Sequence, residues 1–364
     1  MDVTTPRRLG TSELMVNPLG FGGGTIGSPF VDTPTAFSTV QTAWETGVRL
    51  FDTAPWYGVG RSERRLGMAL GDMNVPREEF AVNTKIGKTL NPEPIRDESN
   101  KTYCVDGAVR TPRDNRSGFR VEFDYTATGF QKQHRESLQR LGLSSVDTLT
   151  IHDIDYGYHT TEQLEDVFQQ LDPSGGDGVS YLEEIKQRGQ IKALGAGCNL
   201  ESRNALSWET SAHEDLIDRL VETVPLDFLI VAGGYTLLEN RALRRILPLC
   251  DKLGMGVIAA TPFAGGWLVD PKHASTYMYG PASEQILEKT LRMESICNQY
   301  NIPLPAVALQ FQLCHPAVVA VIPGVKHPDE VRTNQELANI DIPSQLWTDL
   351  KDEALIDSSA PTPN

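Results

Sequence analysis

The chain has 364 residues, of which 40% are apolar and 22% are charged, so it can form a core of ordinary size without metal ions or disulfides. Its formal net charge of -15 repels phosphate backbones and anionic lipid surfaces, and no run of lysines or arginines offers a local exception. We therefore expect neither nucleic acid nor a membrane as a partner.

The cysteines and the apolar segments indicate a compartment. The 5 cysteines are scattered and form no C-x-x-C pair, which predicts free thiols in a reducing environment and no metal site. Neither the N-terminal segment nor any internal stretch has the apolar run of a signal peptide or of a membrane span. We expect a soluble, cytoplasmic protein.

Short apolar segments alternate along the chain with longer segments of helical period, which is typical of β/α units around a parallel sheet. The predicted strands are residues 18–21, 49–52, 80–84, 148–152, 193–197, 227–231, 256–260 and 318–322. The predicted helices are residues 34–46, 62–71, 126–141, 181–188, 213–224, 241–253, 283–300 and 328–337.

This count favours an α/β fold of the (β/α)8, or TIM, barrel type, preceded by a short N-terminal hairpin, in a single domain over residues 1–364. The alternative is an open doubly wound sheet. Its G-x-G-x-x-G fingerprint is absent, because the glycines of GFGGG at 20–24 lack the required spacing.

The segment 86–125 interrupts the alternation, since it is rich in Pro, Asn, Asp, Arg and Gly and shows neither period. It follows the third predicted strand, and loops after barrel strands lie on the active-site face. We expect a long loop on that face; the alternative is a surface insertion without a role.

Ionisable residues end three successive predicted strands: Asp52 and Tyr57 follow the second, Lys85 ends the third and His152 ends the fourth. Singly, each has a structural interpretation as a turn cap, a rim aromatic, a solvated lysine or a core histidine. Together they indicate a proton-transfer site, in which a cation lowers the pKa of a phenol and a carboxylate holds that cation. Bringing a phenol to neutrality requires about three pKa units, or roughly 4 kcal/mol.

The segments around these residues resemble blocks of the aldo-keto reductase family. The resemblance extends from Arg7 to Asn334 and is carried by FDTAPWYGVGRSERRLGMAL, VNTKIG, IHD and LGAGCN. It implies a nicotinamide-dependent oxidoreductase, and the family's catalytic Asp, Tyr, Lys and His fall on Asp52, Tyr57, Lys85 and His152. Metal plays no part in this resemblance.

The same resemblance implies the cofactor site. Cys198 and Asn199 occupy the Ser-Asn position that binds the nicotinamide amide, with cysteine in place of the usual serine. The aromatic that stacks on nicotinamide is replaced by Ala260, and Phe263 or Tyr235 can cover the ring instead. The residues expected along the pyrophosphate are Thr261, Phe263, Ala264, Gly265 and Gly266.

The segment 321–334 resembles the family's adenosine-binding segment and indicates the choice of cofactor. Relatives specific for NADP carry a lysine where Gly324 falls and an arginine where Glu330 falls, both of which meet the 2′-phosphate. Here one charge is missing and the other is reversed, so NAD is the predicted cofactor. Lys326 and Arg332 leave NADP possible; Asn334 completes the predicted contacts.

The LGFGGGTIG, IHDIDYGY, VAGGYTLLE and AATPFAGGWL segments resemble the family branch of aldose 1-dehydrogenases and pyridoxal 4-dehydrogenase. This implies oxidation of the hemiacetal C1 of an aldose such as L-fucose, L-galactose or D-arabinose to a lactone. The alternatives are oxidation of pyridoxal to 4-pyridoxolactone, general aldehyde or ketone reduction, and an NAD(P)-binding subunit without turnover.

The predicted partner is thus a small sugar or another cyclic hemiacetal. The aromatic residues Trp56, Tyr156 and Trp267 are predicted to contact it, while Asp155 or His159 can bond to hydroxyl groups.

Overall fold

The structure is a computed structural model and describes residues 3–92, 119–200, 211–274, 276–277 and 280–363. In these residues the strands are β1 (Arg7–Arg8), β2 (Met15–Val16), β3 (Phe21–Gly22), β4 (Leu50–Asp52), β5 (Ala81–Ile86), β6 (Lys88–Asn91), β7 (Arg120–Phe123), β8 (Thr148–His152), β9 (Ala193–Asn199), β10 (Phe228–Ala232), β11 (Gly256–Ala260), β12 (Thr276–Tyr277), β13 (Gly280–Pro281) and β14 (Val318–Ile322). The α-helices are α1 (Thr33–Glu45), α2 (Arg61–Asp72), α3 (Ala127–Leu141), α4 (Thr161–Leu171), α5 (Gly178–Gln187), α6 (Ala212–Thr223), α7 (Ile246–Leu253), α8 (Glu284–Gln299), α9 (Leu304–Leu313), α10 (Pro328–Ala338) and α11 (Ser344–Asp352).

Eight strands form one parallel sheet in the order β3, β4, β5, β8, β9, β10, β11, β14. The sheet closes between its first and last strands, because Leu19 bridges Val321 and Gly22 bridges Gly324 in parallel register. The backbone N–H of Gly20 also donates to the Val321 carbonyl at 2.9 Å. The predicted (β/α)8 barrel is confirmed.

The N-terminal hairpin of β1 and β2 closes the end of the barrel where the strands begin. Its Leu9, Leu14 and Val16 pack with inward-facing side chains of the barrel strands, among them Phe228. Gly10, in the turn, has a φ of 58°, and a Cβ there would lie 1.8 Å from the Asp227 carbonyl oxygen at the start of β10. Only glycine fits this approach.

One predicted strand and one predicted helix have markedly different bounds in the structure. The first barrel strand is predicted at 18–21 and observed at Phe21–Gly22. The helix predicted over 241–253 begins at Ile246, because Arg245 has a non-helical φ of -148° that separates it from the 3-10 turn Arg241–Arg244.

Helices α4, α9 and α11 lie outside every predicted helix. α4 begins with a capping box in which Thr160 and Gln163 exchange side-chain and backbone hydrogen bonds, a signal present in the sequence. α9 is apolar on nearly all sides and buried, so it has no amphipathic period from which a helix could be recognised.

The segment 86–125 is not irregular at its two ends. Lys88–Asn91 and Arg120–Phe123 pair as antiparallel strands, with Lys88 opposite Phe123. These strands are held by backbone hydrogen bonds, and a strand of four residues is too short to be recognised from its hydrophobic pattern. The rest of the predicted loop, 93–118, lies outside the described residues.

Four thiols, those of Cys198, Cys250, Cys297 and Cys314, are free as predicted, and Cys104 lies outside the described residues. Among the helices of the described ranges, none is both long enough and apolar enough to cross a membrane.

Candidate active site

Asp52 and Lys85 form a buried ion pair at the carboxyl ends of β4 and β5. The Lys85 Nζ lies 2.7 Å and 2.8 Å from the two Asp52 carboxylate oxygens and donates to the Thr53 carbonyl at 2.9 Å. The Lys85 side chain is 3% exposed and the Asp52 side chain 5%. Because neither charge is hydrated, removing one partner leaves the other uncompensated, at a cost of about 3–5 kcal/mol.

Tyr57 and His152 lie next to this pair. Tyr57 is in the turn after β4, and the Lys85 Nζ is 4.6 Å from its ring centre. The imidazole of His152, the last residue of β8, is perpendicular to the Tyr57 ring at a centre-to-centre distance of 5.9 Å. The structure thus brings the four predicted catalytic residues together.

The pKa of Tyr57 differs from the prediction. Lys85 is predicted to lower it, but loss of hydration, together with the carboxylates of Asp52 and Asp153, raises the pKa of Tyr57 well above its ordinary value. The prediction is wrong because the phenol is buried and because Asp52 holds the Lys85 ammonium with both oxygens, so the pair presents little net charge to the phenol. Tyr57 is therefore a protonated phenol at neutral pH.

His152 is held neutral. Burial and the ammonium groups of Lys88 and Lys85 place the pKa of His152 well below its ordinary value. A neutral imidazole carries one N–H donor and one acceptor nitrogen, so it can orient a substrate oxygen without adding a charge.

Asn83 connects Asp52 to the next barrel strand and was not predicted. Its Nδ2 donates to Asp52 Oδ1 at 2.6 Å, and its Oδ1 accepts from the hydroxyls of Thr148 and Thr150 at 2.6 and 2.8 Å. The sequence carries the signal, since polar residues alternate at 83 and 85 and at 148, 150 and 152, where an apolar barrel interior would be the ordinary case.

Asn199 ends β9 and is held by two carboxylates. Its Nδ2 donates to Asp153 Oδ1 at 2.8 Å and to Asp155 Oδ2 at 3.0 Å, and its backbone N–H donates to Asp155 at 3.1 Å. Burial, and then the charge of Asp153, raises the pKa of Asp155 to about 7. Cys198, one residue earlier, packs in the apolar cluster between barrel and helices.

The backbone after β11 has a left-handed conformation at four positions of the segment 261–266. Thr261, Ala264, Gly265 and Gly266 have positive φ values of 56°, 48°, 71° and 101°. The N–H groups of Ala264 and Gly266 donate within this segment, to the carbonyls of Thr261 and Phe263 at 3.0 and 2.9 Å. Phe263, within this segment, is partly exposed, whereas Tyr235 is 1% exposed and packs on Phe311.

The predicted adenosine-binding residues lie in the turn after β14 and in α10. Gly324 and Lys326 are exposed, and Asn334 is buried on α10. The Glu330 carboxylate accepts a hydrogen bond from the backbone N–H of Lys326 at 2.8 Å, which fixes its negative charge at the start of α10. These residues and the segment 261–266 are the predicted contacts of a nicotinamide dinucleotide.

The predicted substrate residues have different surroundings. Trp56 is partly exposed and forms an edge-to-face pair with Tyr158. Tyr156 packs near His213, and its charged neighbours lie on the outer helices α4 and α6. Trp267 is 5% exposed in the apolar cluster, which leaves little surface for a ligand.

Asp155 and His159, predicted to bond to substrate hydroxyls, are both buried. Asp155 bonds to Asn199, as described above, and His159 Nε2 lies 3.0 Å from the Tyr125 hydroxyl. Burial, and then the charge of Lys88, lowers the pKa of His159 to about 3. Both side chains are thus committed within the protein.

Comparison with known proteins assigns the family. Residues 18–353 match the Aldo/keto reductase family. The chain is 34% identical to D-threo-aldose 1-dehydrogenase of a Pseudomonas species over 96% of both chains. It is 32% identical to pyridoxal 4-dehydrogenase of Microbacterium luteolum over 96% of this chain and 97% of that one.

Two solved structures show the same fold. One is an aldo-keto reductase from Bacillus halodurans in its holo form, with a TM-score of 0.69 and 21% identity over 98% of both chains. The other is a glycerol dehydrogenase from Gluconobacter oxydans, with a TM-score of 0.69 and 20% identity over 100% of this chain and 98% of that one.

Proposed function

The chain belongs to the aldo/keto reductase family and is an NAD(P)-dependent oxidoreductase acting on CH–OH donors, and from this premise we propose that it oxidises the hemiacetal C1 of an aldose to a lactone. The aldoses proposed are L-fucose, L-galactose and D-arabinose. The observation that carries the proposal is the convergence of Asp52, Tyr57, Lys85 and His152 in a chain similar over its length to an aldose 1-dehydrogenase.

Each residue of the site has a role in this reaction. Once Tyr57 has lost its own proton, its phenolate oxygen removes the proton of the anomeric hydroxyl, and the His152 imidazole orients the oxygen from which that proton leaves. The Asp52–Lys85 pair places a fixed dipole beside the phenol. The bound cofactor supplies the acceptor for the hydride that leaves C1, and the protein supplies position and charge.

The proposed cofactor site uses residues of three segments. The carboxamide of Asn199 binds the nicotinamide amide. The backbone of Cys198, the preceding residue of β9, lies next to this contact, while its side chain packs in the apolar cluster. Thr261, Phe263, Ala264 and Gly265 surround the pyrophosphate. The adenosine contacts are Gly324, Lys326, Glu330 and Asn334.

We propose NAD as the preferred cofactor. The fixed carboxylate of Glu330 repels the 2′-phosphate of NADP, whereas it can accept hydrogen bonds from the ribose hydroxyls of NAD. The exposed ammonium of Lys326 weakens this discrimination without reversing it.

Pyridoxal is the second candidate substrate. It is favoured by the similarity to pyridoxal 4-dehydrogenase and by the partly exposed ring of Trp56, on which a flat ring can stack. For an aldose, the same ring contacts the apolar face of the sugar.

The test follows NADH formation at 340 nm with NAD and then NADP, for the three aldoses, pyridoxal and simple alcohols. The proposal predicts rapid NADH formation with at least one aldose and a higher kcat/KM with NAD than with NADP. A response to pyridoxal alone would replace the aldose by the second candidate, and a response only to aldehydes with NADH would make the protein a reductase.

A further inference from the structure

A second buried ion pair lies beside the proposed catalytic residues and has no part in the proton transfer described so far. The ammonium of Lys88, in β6, contacts the Asp153 carboxylate directly after β8, and the side chains are 1% and 5% exposed. The Lys88 Nζ also lies 4.1, 4.3 and 5.4 Å from the ring centres of Tyr158, Trp56 and Phe123. These rings keep water away, so Asp153 is the main counter-charge.

Asp153 adopts a left-handed backbone conformation, which residues other than glycine rarely adopt. Its φ is 57°, and its N–H donates to the Gly197 carbonyl at 2.9 Å, which ties it to β9. A left-handed residue of this type is strained and persists only where the surroundings impose it. Here the conformation turns the carboxylate toward both β6 and β9.

Each Asp153 oxygen contacts a residue of the proposed site. Oδ1 accepts from Asn199 Nδ2 at 2.8 Å, while Oδ2 contacts Lys88 and lies 3.4 Å from His152 Nε2. A single carboxylate thus connects the histidine that orients the substrate oxygen with the amide residue assigned to the cofactor.

The carboxylate favours one tautomer of His152. A hydrogen on Nε2 is attracted by Asp153 Oδ2, whereas the buried Nδ1 has no hydrogen-bond partner among the residues that the structure describes. A buried N–H without an acceptor is the costlier arrangement, so the hydrogen resides on Nε2. The positive charge of Lys88 keeps Asp153 from drawing a second proton onto the ring.

Asp153 also fixes the orientation of Asn199. The Asp153 carboxylate, paired with Lys88, only accepts hydrogen bonds, so the Asn199 atom that faces it must be the amide nitrogen. The carboxamide oxygen is then left to accept from a ligand.

We propose that Asp153, anchored by Lys88, is a positioning residue that keeps the His152 hydrogen on Nε2 and holds the Asn199 carboxamide ready for the cofactor amide. The role of Asn199 toward the cofactor rests on the function proposed above.

The groups that face His152 are Lys85 from β5, Lys88 from β6, Asp153 after β8, and Tyr57 with Asp52 from the end of β4. The Tyr125 hydroxyl donates to the His152 carbonyl.

The test compares Lys88→Met, Lys88→Arg and Asp153→Asn by two measurements that need no sugar substrate. The first is 15N NMR of the His152 imidazole, assigned with His152→Gln. The second is the dissociation constant of NAD, measured by titration of protein fluorescence.

We expect the wild type to show a neutral His152 with the hydrogen on Nε2 at pH 6–8. Lys88→Met leaves Asp153 unbalanced, so the apparent pKa of His152 rises by about 1–3 units while NAD binding changes little. Asp153→Asn releases Asn199 and raises the dissociation constant of NAD about tenfold. Lys88→Arg retains the charge and keeps both properties near the wild type.

The matched control is Arg241→Met, which breaks another buried pair, with Glu214, whose side chains are 4% and 1% exposed. It should lower stability and leave the His152 tautomer and NAD binding unchanged. An unaltered NAD dissociation constant in folded Asp153→Asn, together with an unaltered His152 pKa in folded Lys88→Met, would overturn the proposal. If Asp153→Asn does not fold, the wild-type tautomer and the Lys88 variants decide, and a wild-type hydrogen on Nδ1 is equally decisive against it.

These measurements separate the positioning role from the proposed reaction. An enzyme that oxidises pyridoxal instead of an aldose leaves them in force. A wild-type protein that does not bind NAD contradicts the proposed function, and the NMR measurement still decides the role of Asp153.

Discussion

Tyr57 is the residue at which proton transfer and charge meet. Its neighbours are a buried ion pair and a neutral imidazole, and its pKa is raised. The phenol is therefore well suited to donate a proton in reduction. In oxidation the phenolate must form first, which makes the direction of catalysis sensitive to pH.

Replacing Tyr57 by Phe tests its role in proton transfer. The ring, and with it the packing on His152, is retained, so NAD binding should stay near the wild-type value, while kcat should fall by about 10²–10⁴-fold. Steady-state rates and fluorescence titration with NAD measure the two effects. Tyr181→Phe removes a phenol hydroxyl near His134 and is the control, for which kcat should not change. Wild-type turnover in Tyr57→Phe would exclude the assigned role.

The raised pKa of Tyr57 predicts that the rate of oxidation depends on pH, whereas the rate of reduction does not. Below that pKa the phenolate fraction rises about tenfold per pH unit, so kcat/KM for oxidation should increase steadily from pH 7 to pH 9. Reduction uses the protonated phenol and should be flat over the same range. Absorbance at 340 nm measures both, and oxidation that does not vary between pH 6 and pH 10 would show that Tyr57 does not limit it.

At the scale of elements, the turn between β14 and α10 determines the proposed cofactor preference. Glu330 is held by the Lys326 backbone at the start of the helix, so its carboxylate cannot turn away from an approaching phosphate without losing that bond. The preference thus depends on a fixed charge.

Replacing Glu330 by Arg should raise the ratio of kcat/KM for NADP to that for NAD at least about tenfold, because a repulsive charge becomes an attractive one. Glu330→Gln keeps an oxygen that can accept from the Lys326 N–H and removes only the charge, so it should give a smaller shift. Steady-state kinetics with both cofactors measure the ratio. An unchanged ratio in both variants would place the 2′ position elsewhere.

The elements also show what could be predicted from the sequence. Strands such as Thr148–His152 and Gly256–Ala260 were predicted at their observed bounds, because a buried parallel strand is a short apolar run between turns. The convergence of Asp52, Lys85 and His152 followed, since parallel strands end on one face. The Lys88–Asp153 contact could not be predicted. It depends on a residue with a left-handed backbone and on a strand pair that is too short to show a hydrophobic period.

At the scale of the whole molecule, the residues that close the barrel core and the proposed catalytic residues lie at opposite ends of the barrel. The hairpin residues Leu9, Leu14 and Val16 fill the end where the strands begin, while the proposed catalytic residues lie where the strands finish. Changes at the first end should therefore alter the free energy of unfolding without altering the reaction.

Leu9→Ala should lower the free energy of unfolding by about 2–5 kcal/mol, because Leu9 is 0% exposed and its removal leaves a cavity. Urea denaturation measures the loss, and kcat at a temperature where the variant is folded should match the wild type. Met15→Ala in the same hairpin is the control, since Met15 is 53% exposed and its loss should cost little. A large fall in kcat with Leu9→Ala would contradict the separation.

The most direct test of the proposed reaction uses an aldose that carries deuterium at C1, beginning with L-fucose. With NAD as acceptor, the account predicts that the deuterium is found in the NADH, that the product is the unlabelled lactone, and that Tyr57→Phe abolishes most of the transfer. NADH without deuterium, or no NADH from L-fucose, L-galactose or D-arabinose, would contradict oxidation at C1.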